Sequence, residues 1–215
     1  MNHGGMAPYS KGDVAMRTNL RKRAALAAML FTVALPSSAL AQFSESYNFI
    51  KAVKDRDGAK ANEIIAKPGS IIIDTREQGT GDAAIHIVTK RRDMQWMGFL
   101  LSRGAKPDVR DNQGNTALNL AAQIGFTEGA AQLLRFKASV DLANNSGETP
   151  LIRAVQMRDL PMARMLLAAG ANPAKTDRIA GMSARDYAQR DTRAKAILAL
   201  IDSAKSIKPA AGPNP

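Results

Sequence analysis

The chain has no cysteine among its 215 residues. Disulfides and thiolate metal sites are therefore excluded, and stability has to come from packing. Histidine is nearly as scarce: of 2 in the chain, one is His3 and the other His86. A Ser/His/Asp triad or a histidine-based zinc site needs partners that this chain lacks. Aromatic residues make up 5%, too few for a base-stacking platform, and no nucleic-acid partner is expected. No Gly-rich phosphate loop and no calcium-loop spacing is present. The expectation is no catalytic residue, no metal site and no cofactor. Asp111, Asp141, Asp159 and Asp177 fall at turns or helix starts, where capping accounts for carboxylates.

Charge, by contrast, is plentiful. Lys and Arg total 30 against 19 Asp and Glu, a formal net charge of +11. Part of the excess sits at the amino end, where Arg17, Arg21, Lys22 and Arg23 precede the apolar residues 24–35. That run is too short to span a bilayer, which takes ~20 apolar residues. Pro36, Ser37 and Ser38 then lead into Ala39, Leu40 and Ala41, the small-x-small ending of a cleavage site. The sequence thus predicts a signal peptide over residues 1–41, with Met16 as a second candidate start, and a mature chain beginning at Gln42. Its expected location is the periplasm, with secretion as the alternative. The leader contains Lys11, Arg17, Arg21, Lys22, Arg23 and Asp13, so its removal leaves 25 basic and 18 acidic residues, about +7.

Beyond the leader the chain repeats itself. Thr149, Pro150 and Leu151 match Thr116, Ala117 and Leu118 at a spacing of 33; Leu166 and Leu167 match Leu133 and Leu134, then Leu100 and Leu101. Self-similarity at that period means stacked supersecondary units in place of one closed core. Each unit opens on a turn, such as residues 111–114 or 144–147, with Gly last. Thr116 and Thr149 are good N-caps, and Pro150 suits the first helical position. Leu118, Ala121 and Ala122, then Leu151, Ala154 and Val155, recur at i, i+3, i+4 and give each first helix one apolar face. A second helix carries the Leu pair and stops at Lys137 or Gly170. One such hairpin cannot bury its own apolar faces, so at least three must stack.

Residues 147–173 and 114–141 closely resemble the ankyrin repeat, with its G-x-T-P-L-H opening, its second helix ending in Leu pairs and its closing G-A-x-x-N. The resemblance implies an all-α solenoid of about five helix-turn-helix units joined by hairpin loops. The units fall at about residues 46–73, 74–108, 109–141, 142–174 and 175–203, within a domain of residues 42–205. A disordered tail is expected over residues 206–215. Three departures stand out. Ala83 replaces the motif's Thr, and Asn119 and Ile152 replace its His, so an incomplete Thr–His hydrogen-bond network is expected. Arg92 and Arg158 stand where the motif has Gly, at ~1 kcal/mol each if left-handed. Two extra residues near 79–82 predict a longer first finger. Ser183 and Asp186 read as a capping box opening the last unit.

The resemblance further implies a monomeric module that binds a protein partner through its finger tips and the exposed positions of its first helices. Carried over by position, these are Arg110, Asn112, Gln113 and Asn115, then Asn145, Ser146 and Glu148, on the fingers. On the first helices they are Lys90 and Arg91, Gln123 and Ile124, and Gln156 and Met157. The run Lys90, Arg91 and Arg92 leaves open an alternative, a basic module on an anionic polymer or membrane surface, or a secreted, host-directed effector.

Overall fold

The computed structural model describes Met1 and residues 37–67 and 71–207. The basic segment and apolar run of the leader, and the tail beyond residue 207, lie outside those residues. The chain divides into two compact units, Met1–Leu40 and Ala41–Pro215, and the architecture below is that of the second. Five helix pairs follow one another: α1 (Ser37–Asp55) and α2 (Gly58–Ile65), α3 (Ala84–Lys90) and α4 (Met94–Ser102), α5 (Ala117–Ile124) and α6 (Thr127–Arg135), α7 (Pro150–Gln156) and α8 (Leu160–Ala168), α9 (Ala184–Arg190) and α10 (Lys195–Ile207). First helices pack on first helices, α3 on α5, α5 on α7 and α7 on α9, while α4, α6, α8 and α10 form a parallel second row. The principal contacts join each pair to itself and to its neighbours, as a linear array requires. This is the all-α solenoid that the resemblance implies.

Local chemistry sets the ends of most elements. Thr116, Thr149 and Ser183 accept N–H bonds from Asn119, Ile152 and Asp186 at the starts of α5, α7 and α9. Asp57, Asp93 and Asp159 do the same for α2, α4 and α8, accepting from Lys60, Trp96 and Met162. The Leu pairs explain the second-helix ends. Ala105, Ala138 and Ala171 donate N–H to the carbonyls of Leu100, Leu133 and Leu166, while Gly104, Lys137 and Gly170 donate to Leu101, Leu134 and Leu167. That is a double-bonded left-handed cap, and each Ala is buried beside a fully buried Leu.

The turns between paired helices are left-handed as well. Gly125 fills this place in the third unit, whereas Arg56, Arg92 and Arg158 adopt φ of 60°, 56° and 56°. Each arginine reaches the following unit. Arg56 pairs with Asp93 at 2.8 Å and Arg158 with Asp191 at 2.7 Å. Arg92 donates to the carbonyls of Ile124 and Gly125 and lies over the Phe126 ring. Strain of ~1–2 kcal/mol per left-handed residue is offset in part by these bridges, which are half-exposed and worth ~0–1 kcal/mol each.

Hairpin fingers connect the units. Asp111 N–H bonds Asn115 O and Asn144 N–H bonds Glu148 O, while the outer fingers close from Glu77 to Asp82 and from Asp177 to Met182. The first finger is therefore one residue longer than the middle ones, not two. The two further residues lie earlier, since Asp57 precedes Asp74 by 17 positions and Asp93 precedes Asp108 by 15. Successive fingers stack through their backbones: Asn112, Asn145 and Arg178 donate N–H to Thr80, Gln113 and Ser146 at 3.1, 3.0 and 2.8 Å. At the finger bases Asp74, Asp108 and Asp141 accept the N–H of Lys106, Ser139 and Asn172 at 2.9, 2.9 and 3.0 Å.

Candidate functional site

Beneath the fingers, polar side chains bind unit to unit. His86 is fully buried; its Nδ1 accepts Ala83 N–H at 3.0 Å and its Nε2 meets Asn115 O at 3.1 Å. With Nδ1 accepting, Nε2 carries the proton and donates it to the next unit. Asn119, one period on, performs both tasks. Its Oδ1 accepts from Thr116 N–H and Oγ1 at 2.9 Å, and its Nδ2 donates to Leu142 O at 3.1 Å and Glu148 O at 3.3 Å. The expected gap at Asn119 is thus corrected: an amide carries an acceptor and a donor on one short side chain, as a neutral imidazole does. Ile152 has neither group, and there the chain of bonds does break. The capping box of Ser183 and Asp186 is present, with Ser183 N–H donating to Asp186 at 2.9 Å.

Burial pushes the His86 imidazole below the usual histidine value, against the opposing pull of Asp82 and Asp111. A depressed folded value means that the unfolded chain binds the proton more readily. Stability is then complete above about pH 6.5 and falls as the pH drops from there through the lower folded value. His86→Asn, which copies the residue found at position 119, removes this titration. Urea midpoints between pH 7 and pH 5 should fall less in the variant than in the parent chain. A second acid-sensitive contact lies lower: the Arg158 guanidinium holds the Asp191 carboxyl at about 2. Its contribution is present above the ordinary carboxylate range and is lost as pH falls towards 2.

Most of the expected contact residues are engaged inside the stack. Lys90 donates to both Asp82 oxygens, at 2.8 and 2.7 Å, and Arg91 donates to Val53 O at 3.2 Å. Arg110 donates to Gly114 O and Ala143 O at 3.2 and 2.9 Å. Asn112 and Asn145 donate their side-chain amides to Gly79 O and Asn112 O, at 2.6 and 3.1 Å. Asn115 is buried at 2% exposure, held by Asp111, Gln113 and Asn144. That removes Asn115 from any surface offered to a partner, because its amide closes the link between two fingers. Ser146 receives Arg178, while Glu148 is shared by Asn144, Gln156 and Arg153.

What remains open on this flank is short and apolar. The Gln123 side chain is exposed and makes no hydrogen bond among the described residues. Ile124 is half-buried, and Met157, its equivalent one unit on, is 50% exposed. The two form a ledge across neighbouring first-helix ends. Sequence reasoning missed Tyr187, whose hydroxyl donates to Asp177 at 2.8 Å at the far end of the same flank. It also missed the exposed Tyr47, which belongs to a first unit too divergent to align. Among the described residues no group of three His, Cys, Asp or Glu is placed to hold a metal, and no helix is long and apolar enough to cross a membrane.

Comparison with known proteins agrees with this geometry. The family described as "Ankyrin repeats (3 copies)" matches residues 85–177. A putative ankyrin repeat-containing protein of Treponema pallidum (strain Nichols) is 30% identical over 143 residues, 66% of this chain and 47% of that protein. The B-cell lymphoma 3 protein homolog of Mus musculus is 36% identical over 97 residues, 43% of this chain and 22% of its own. Calmodulin-binding transcription activator CBT of Oryza sativa subsp. japonica is 26% identical over 191 residues, 85% of this chain and 20% of its own. The chain therefore spans between 20% and 47% of these relatives' lengths. The matched repeats coincide with the helix pairs α3 to α8, stacked fingers and paired Leu caps, and residues 85–177 are thus a run of ankyrin repeats.

Proposed function

We propose that the chain is a non-catalytic, monomeric module that is exported to the periplasm and binds a protein partner, not nucleic acid, on its first-helix flank. Ankyrin repeats generally mediate protein–protein interaction, and the observation that supports this surface is the exposed ledge of Gln123, Ile124 and Met157. An apolar pair standing on a rigid, self-satisfied lattice is what a partner can cover without breaking existing bonds. Gln156 borders the ledge and is half-buried against Glu148. Removal of residues 1–41 leaves Phe49, Ile50, Ala52 and Val53, the buried anchors of α1, in the mature chain.

Binding to an anionic polymer or membrane surface is the weaker reading, because Lys90, Arg91 and Arg110 are already engaged by this chain's own acceptors. Affinity purification from the periplasmic fraction tests the proposal. The Gln156→Ala/Met157→Ala variant is expected to lose one specific co-purifying protein, with at least a tenfold drop in recovery for ~1.4 kcal/mol of contact. An unchanged set of proteins in the variant overturns this choice of face. Retention that collapses as salt rises points to the polymer reading instead.

A further inference from the structure

The first finger has an open side. Asn112, Asn145 and Arg178 each donate a backbone N–H to the finger before them. Gln78 holds the same place on the first finger, next after Glu77 as Asn112 follows Asp111. Among the described residues its N–H and side-chain amide have no partner, because no finger precedes it. Asn112 and Asn145 spend an amide side chain on the preceding finger as well as a backbone N–H. Gln78 carries the same functional group, unspent.

The space beside Gln78 is walled. Even after removal of residues 1–41 the first helix α1 keeps residues 42–55 of its 19, whereas α3, α5, α7 and α9 have 7, 8, 7 and 7 residues. Its face around Tyr47, Ile50 and Lys54 borders a groove of about 590 Å³ whose other wall is Arg76, Glu77 and Gln78. Four of the five charges along this groove pair internally: Lys51 with Asp55, and Lys54 with Glu77. Arg76 donates to Arg110 O at 3.1 Å. Tyr47, 67% exposed, supplies an uncovered aromatic face at the rim. A groove whose one unpaired cation, Arg76, is already spent on a carbonyl, and which keeps one unspent backbone donor and one unspent amide, calls for carbonyl oxygens more than for net charge.

We propose that this groove takes an extended segment of a partner protein, lying where no finger precedes the first one among the described residues and accepting hydrogen bonds from Gln78 through its backbone carbonyls. The three filled positions in the same chain are the template: each is occupied by polypeptide backbone, with Thr80, Gln113 and Ser146 supplying the acceptor. Recognition is then of the strand-addition kind, in which main-chain bonds give affinity and a side-chain pocket, here the Tyr47 rim, gives preference. This surface is separate from the Ile124 and Met157 ledge, so either proposal can fail alone.

Selection of phage-displayed random linear peptides on the full chain, followed by affinity measurement and amide hydrogen exchange with the enriched peptides, tests it. The expected result is slowed exchange at the Gln78 N–H on peptide binding. Gln78→Pro, which removes both donors, should weaken binding about tenfold, the effect of losing about one backbone hydrogen bond. Tyr47→Ala should weaken it too, and carries the test if the proline variant fails to fold. Met157→Ala should leave it unchanged. No enrichment, or binding that ignores both Gln78→Pro and Tyr47→Ala, overturns the proposal. So does protection of the Gln78 N–H without peptide. If independent of concentration, it shows a segment of this chain in the groove, and if rising with concentration, a second copy.

Discussion

Gly147→Val is expected to lower stability by about 3 kcal/mol and the melting temperature by about 10 °C. Two costs add. Gly147 holds φ of +81°, where a β-branched residue loses ~1–2 kcal/mol or more. A Cβ there would also lie 2.6 Å from Arg178 N and 3.0 Å from Asp177 Cα. Both are backbone atoms of the next finger and cannot rotate away, so overpacking adds ~1–3 kcal/mol; ~1 kcal/mol corresponds to ~2–4 °C in a domain of this size. Gly170→Ala separates the two costs. Gly170 is left-handed, at φ of +92°, but a Cβ added there would meet nothing within 4 Å. Only the strain then applies, and the loss should stay near ~1 kcal/mol. Thermal and urea unfolding of the two variants provide the comparison. Equal losses would mean that the close approach of fingers contributes nothing.

Asn119→Ala should cost a similar ~3 kcal/mol, for a different reason. The substitution strips the buried Thr116 N–H and hydroxyl of their acceptor and Leu142 O of its donor, while Glu148 O loses one of two donors and keeps the Asn144 N–H. Each buried group left without a partner costs ~1–3 kcal/mol, and partial hydration of the Leu142 carbonyl keeps the sum at the low end. Asn119→His is the informative control. An imidazole at this position has an acceptor for Thr116 N–H and a donor for Glu148 O, as His86 has for Ala83 N–H and Asn115 O. It should therefore stay within ~1 kcal/mol of the parent in urea titrations. Amide exchange in Asn119→Ala should also quicken on both sides of the lesion, because the lost bonds join the third unit to the fourth and nearest neighbours share stability. Acceleration confined to α5 would argue against that coupling.

Much of this architecture is legible in the residues. The period of 33 between Thr116 and Thr149 locates the first helices, and the caps at Thr116, Thr149 and Ser183 are local, so sequence alone predicts them. The left-handed turns at Arg92 and Arg158 follow from their alignment with Gly125. Less legible is any property that depends on what lies across a unit boundary. Asn119 looks like a lost histidine until the carbonyls of Leu142 and Glu148 are seen facing it. Lys90 and Arg91 look like a free basic patch until Asp82 and Val53 O are placed beside them. Asn115 aligns with exposed finger positions, yet its side chain turns inward to Asp111 and Gln113. The groove at Tyr47 was invisible for another reason: it lies where no finger precedes Gln78 among the described residues, and such a gap leaves no pattern to align.

The engaged side chains also narrow the candidate surface. Thirteen residues follow from resemblance alone, and the stack uses most of them to hold itself together. A partner that engaged Asn112 or Arg110 directly would have to displace bonds to Gly79 O or Ala143 O, whereas Met157 offers half of its surface at no such cost. This difference sets where binding energy is available.

The most direct measurement is site-specific photocrosslinking in living cells, with a photoreactive side chain placed in turn at Met157 and at Arg164, an exposed position of α8. Recognition through the first-helix flank predicts one discrete protein adduct from position 157 and none from position 164. No adduct at 157, or the same adducts from both positions, would contradict it.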